Sequence, residues 1–103
     1  MQKLIDDTVE IARKRFGEFG FSEDQVTTLL ASGRRDLVKE FEKLQLLLEE
    51  KPVNIEAINN SMHALKGLLS NMGNEALAEK FTELRQESES RDIIAEIQVL
   101  LER

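Results

Sequence analysis

The chain has 103 residues, with 14 lysines and arginines against 20 aspartates and glutamates, a formal net charge of −6, and 41% hydrophobic and 33% charged residues. That length suits one small domain with a single core, and the composition excludes a disordered tail. No apolar run approaches the roughly 18 residues of a membrane span, and the acidic balance works against nucleic acid as a partner, whose phosphates are bound chiefly by cations.

The only aromatic residues are five phenylalanines, there is one proline, and β-branched residues show no sustained alternation, so the chain reads as all-α. The first predicted helix, about 2 to 16, places Leu4, Ile5, Val9, Ile11, Ala12 and Phe16 at a helical period and ends at the glycine turn "FGEFGF". Ser22 and Gln25 form a capping-box pattern opening a short helix from about 23 to 32, which Gly33 ends or bends. "RRDLVKEFEKLQLLLEE" then sets Leu37, Phe41, Leu44, Leu47 and Leu48 on one stripe, and Pro52 stops it.

A helix from about 54 to 72 follows, with Ile55, Ile58, Met62, Leu65, Leu69 and Met72 as its core stripe, closed by Gly73. "NEALAEKFTELRQES" buries Leu77, Phe81 and Leu84. "SRDIIAEIQVLLER" begins at Ser90 as an N-cap and turns Ile93, Ile94, Ile97, Leu100 and Leu101 inward. Short connections between amphipathic helices favour antiparallel neighbours. The basic clusters at Arg13, Lys14 and Arg15 and at Arg34 and Arg35 are flanked by acids and read as solvated faces. "MQKLIDDTVE" lacks the pattern of a secretion signal, which makes the cytoplasm the expected compartment.

The single histidine, His63, lies on the helix from 54 to 72 about 100° round from Met62, at or beyond the edge of the core stripe. Its neighbours on that face are Asn59, Asn60, Lys66, Gly67 and Ser70. Imidazole is substantially neutral and nucleophilic near its ordinary pKa of ~6.5. Lys66 at i+3 offers a compact cation for phosphoryl oxygens, and Gly67 at i+4 costs about 1 kcal/mol against alanine in a helix, so it asks for a compensating reason such as close approach by another molecule. A lone histidine is more often a plain surface residue. Metal binding is disfavoured, because with no cysteine and no ligand at i±4 the set reduces to scattered carboxylates.

"HALKGLLSNMG" resembles the signature of the histidine-containing phosphotransfer domains of multistep phosphorelays: histidine, any residue, an aliphatic, lysine, glycine, then a second glycine six residues on. His63, Leu65, Lys66, Gly67 and Gly73 stand at those positions, and "NEALAEKFTELRQ" resembles the family's next helix. The resemblance covers most of the chain, although only the histidine motif is specific. It implies one domain over 1–103, an antiparallel up-and-down four-helix bundle with an additional N-terminal helical segment, and His63 exposed midway along the second bundle helix. It also implies that His63 is the phosphoacceptor, that Lys66 helps hold the phosphoryl group, and that Gly67 gives room to a receiver domain.

Two departures bear on that reading. Leu68 is bulkier than the small residue frequent there and faces either a neighbouring helix or the docking surface, where it is a candidate contact, with the helix from 23 to 32 a weaker one. The family often places a glutamate or glutamine about twenty-two residues after the histidine to orient the ring, whereas here that position is Arg85, an additional charge for the phosphoryl group. The expected partners are a response-regulator receiver domain or a hybrid histidine kinase. The chain itself is expected to be monomeric and to carry no cofactor, with Mg²⁺ on the receiver, since it has no phosphate-cradling loop or Mg²⁺ constellation of its own. A receiver-docking adapter that transfers nothing, and the phosphotransfer domain of a chemotaxis-type kinase, are the alternatives.

Overall fold

The computed structural model describes residues 1–86 and 93–102. Among them every regular element is an α-helix: α1 (Gln2–Glu18), α2 (Glu23–Glu49), α3 (Ile55–Asn71), α4 (Glu75–Gln86) and α5 (Ile93–Leu101). Ser90, expected to cap the last helix, lies outside the described residues. No helix among the described residues is long and apolar enough to cross a membrane.

The helix ends follow from local chemistry. At the start of α2 the Ser22 hydroxyl accepts from the Gln25 amide at 3.2 Å and the Gln25 side-chain oxygen accepts from the Ser22 amide at 2.9 Å, completing the expected capping box. Asn54 caps α3, its Oδ1 accepting from the Ala57 amide at 3.1 Å. At the other end of α3 the Gly73 amide donates to the Ser70 carbonyl and the Asn74 amide to the Leu69 carbonyl, the two bonds of a Schellman motif, with Gly73 at φ +92°. An L side chain is disfavoured there, and a Cβ would also lie 2.7 Å from Arg15 Cδ. Gly73→Ala is expected to lower stability by about 1–2 kcal/mol, read as a lower urea midpoint with an unchanged slope.

The segment around Gly33 differs from the sequence expectation. A single helix of 27 residues runs through it, with no break at 32. The glycine serves packing: a Cβ at 33 would stand 2.8 Å from Met72 Cε, so its absence lets the end of α3 lie against α2. In α1 the buried stripe is Ile5, Thr8, Val9 and Ala12. Ile11, expected inward, is exposed at the rim. Thr8 takes a stripe position because its hydroxyl is satisfied, donating to the Leu4 carbonyl and accepting from Asn74 Nδ2, each at 2.8 Å. Asn74 Oδ1 in turn accepts from the Leu77 amide at 3.3 Å, so one buried side chain caps α4 and ties it to α1.

Cross-links fix the helix directions. Met1 lies beside Gln45 and Leu48, and Asp6 pairs with Arg34 at 3.1 Å, so α1 and α2 run antiparallel. Ser61 donates to Glu40 at 3.0 Å while Met72 meets Gly33, which makes α2 and α3 antiparallel. His63 meets Arg85 and Ser70 meets Glu75, so α3 and α4 are antiparallel as well. The core runs between the helices and centres on Phe41 and Phe81, both fully buried with ring centroids 6.2 Å apart.

Candidate functional site

The stripe that buries Ile58, Met62, Leu65 and Leu69 of α3 turns the opposite face of that helix outward. His63 stands exposed on the outward face, with Gly67 and Asn60 also exposed and Lys66, Asn59 and Ser70 half-buried. At 100° per residue these five lie within about 60° of His63 around α3.

Leu68 does not belong to it. Five residues on from His63, it sits about 140° round α3, half-buried and packed against the core. Ser70 is directed to α4, its hydroxyl donating to Glu75 Oε2 at 3.3 Å.

The neighbouring helix supplies the residue that meets the imidazole. Arg85 Nη1 lies 3.1 Å from His63 Nδ1, and the ring is therefore held by a guanidinium at the position anticipated for an orienting side chain. Gln86, next in sequence, is exposed. Guanidinium groups carry donors only and stay protonated, so in this contact Arg85 donates and Nδ1 accepts. The half-buried Arg85 has a buried Nε without a hydrogen-bond partner, and neither it nor Lys66 forms an ion pair among the described residues. Arg85 at the imidazole and Lys66 on the same face of α3 as His63, with no carboxylate paired to either among the described residues, give this face cationic groups on a chain whose net charge is −6.

Gly67 sits at i+4 from the histidine in regular helix. A Cβ there would meet nothing within 4 Å, so neither packing nor backbone geometry within the chain requires glycine. The missing side chain leaves the α3 backbone open to an approaching molecule beside His63.

A second exposed feature lies at the α1–α2 turn, where Phe19, Phe21 and Leu29 are solvent-accessible and Phe21 and Leu29 line a shallow groove with Asp24, Gln25 and Thr28. Phe21 stacks edge-on with both Phe16 and Phe19. Sequence reasoning reaches the helix bearing Leu29 as a lesser docking surface but gives no weight to the two phenylalanines, whose signal is a cluster of apolar rings in a turn.

Compared with known proteins, the chain matches no family model, no curated protein and no solved structure. The functional reading rests on the residues themselves.

Proposed function

We propose that the protein is a histidine phosphotransfer domain of a two-component phosphorelay, in which His63 accepts a phosphoryl group from the aspartyl phosphate of a receiver domain and returns it to the aspartate of another. The observation that carries this reading is an exposed imidazole on α3 that meets Arg85 of α4 and shares its helix face with Lys66 and an unrequired glycine, neither cation having an ion-pair partner among the described residues. Each element has a place in the reaction. The imidazole lone pair forms the N–P bond while the P–O bond to the donor aspartate breaks, its electron pair staying on the carboxylate. Lys66 and Arg85 offset the phosphoryl charge, and Gly67 lets the donor reach in-line geometry. Phosphoryl transfer also calls for a metal on the phosphoryl oxygens, and the receiver would supply that Mg²⁺. The chain is then a phosphocarrier working in the cytoplasm as a monomer, with a receiver domain or hybrid histidine kinase as partner.

The same reading makes α2 to α5 an up-and-down four-helix bundle and α1 an additional N-terminal helix along α2, with His63 midway along the second bundle helix. The helix bearing the exposed Leu29 is a second, lesser docking surface in this reading.

One observation favours a second reading. With Arg85 donating to Nδ1, the neutral ring holds its proton on Nε2, and such a ring has no free lone pair facing solvent. A domain fixed in that state would dock receivers without accepting phosphate. The decisive assay mixes the protein, and separately His63→Gln, with receiver domains labelled on aspartate. Acid-labile, base-stable label on the wild type alone supports transfer; measurable docking with no label from any charged receiver selects the adapter.

A further inference from the structure

The Arg85 contact has a mechanistic consequence for both readings. We infer that Arg85 is a tautomer latch: it holds the resting imidazole of His63 in the Nε2–H form, and releases it when an incoming phosphoryl group draws the guanidinium away. The phosphotransfer consequence rests on the proposal that His63 is the phosphoacceptor; the tautomer assignment itself does not.

The assignment follows from donor and acceptor inventory. Arg85 Nη1, 3.1 Å from Nδ1, can only donate, so the Nδ1 lone pair points to α4 and the ring proton sits on Nε2. A glutamate or the carbonyl of a glutamine at the same place would accept from Nδ1–H and leave the Nε2 lone pair free. Arginine therefore inverts the ring relative to an acceptor at position 85. His63 Nε2 has no protein partner among the described residues, so nothing on that side opposes the assignment.

Release is built into the same contact. No carboxylate among the described residues pairs with Arg85, and its Nε is buried without a partner, so the guanidinium has unused donors. A phosphoryl dianion offers charge-assisted, bidentate acceptors that a neutral imidazole nitrogen does not match. When Arg85 turns to the phosphoryl oxygens, Nδ1 takes a proton from water and Nε2 gives its proton to water. The Nε2 lone pair then attacks phosphorus, and the donor carboxylate leaves with the P–O electron pair. A small phosphodonor also offers phosphoryl oxygens, but no docked protein holds them against Arg85, so it draws the guanidinium away less often, meets the latched ring more of the time and reacts more slowly.

The test uses the whole chain labelled with nitrogen-15 in histidine, which reports a single ring because His63 is the only histidine. Spectra are recorded at about pH 8.5, above the ordinary imidazole pKa of ~6.5, for the wild type, Arg85→Lys, Arg85→Met and Arg85→Glu, beside free histidine blocked at both ends. The wild type is expected to hold a larger share of Nε2–H than blocked histidine does, Arg85→Lys to retain that excess, Arg85→Met to fall back to the blocked-histidine ratio, and Arg85→Glu to invert to Nδ1–H. Amide dispersion in the same samples verifies the fold. A wild-type ratio equal to that of blocked histidine, or no inversion in Arg85→Glu, overturns the latch. Phosphoramidate then serves as a small donor: Arg85→Gln is expected to be phosphorylated several-fold faster than the wild type, and equal rates overturn the discrimination. If no variant takes phosphate while the tautomers follow the expected order, the phosphoacceptor reading falls and the tautomer assignment stands.

Discussion

Phe41→Ala is expected to destabilise the protein by about 3–5 kcal/mol, at the upper end of what a single core truncation costs. Phe41 is fully buried on α2 and its ring lies 6.2 Å from that of Phe81 on α4. Truncation removes contacts that join α2 to α4, and leaves a cavity that rigid helices fill only in part. A domain of this size has about 5–15 kcal/mol of stability in all. The loss should therefore lower the melting temperature by on the order of 20 °C, given about 4–8 °C per kcal/mol for small domains. Phe41→Leu should cost roughly a third as much, because most of the volume remains. Leu46→Ala on the same helix, where the leucine is 64% exposed, should stay within about 0.5 kcal/mol of wild type. Thermal unfolding of the three variants by circular dichroism checks the order. Equal shifts for Phe41→Ala and Leu46→Ala would remove Phe41 from the centre of the core.

The parts of this fold that were legible in sequence are those encoded by local period and local caps. The stripe through Ile58, Met62, Leu65, Leu69 and Met72 is buried as its spacing demands, and Ser22 with Gln25 opens α2. Features decided by residues distant in the chain were less accessible. A glycine inside an amphipathic run is equally compatible with a helix break and with a close helix crossing, and only the arrival of Met72 at Gly33 selects the second. The tie between Asn74 and Thr8 joins positions 66 apart and has no local signature. Arg85 could be counted to its place twenty-two residues after His63, because Gly73 sets a compact α3–α4 turn; the contact of its guanidinium with the ring is a pairing between two helices that no local pattern encodes. Leu68 is the opposite case, since its position about 140° from His63 follows from helix geometry alone.

Gly67 should give two responses of opposite sign, and this separates a functional glycine from a structural one. Within the chain its hydrogen is not needed: the backbone is regular helix and a Cβ would meet nothing within 4 Å. Gly67→Ala is therefore expected to raise stability by up to about 1 kcal/mol, the helix-propensity difference. The same methyl group protrudes beside His63 where a receiver would bring its aspartyl phosphate into line, and Gly67→Leu extends the obstruction by three further carbons. Misplacement of reacting groups by about 1 Å is worth on the order of 100-fold in rate. Transfer from receiver to His63 is accordingly expected to fall by about two orders of magnitude in Gly67→Leu and less in Gly67→Ala, while phosphorylation by phosphoramidate, which needs no docked protein, changes little. Melting temperatures, receiver-dependent transfer rates and phosphoramidate rates on the same preparations settle the matter. A stabilised Gly67→Leu that transfers at the wild-type rate would mean that no partner approaches this face closely, and would move the docking surface away from His63.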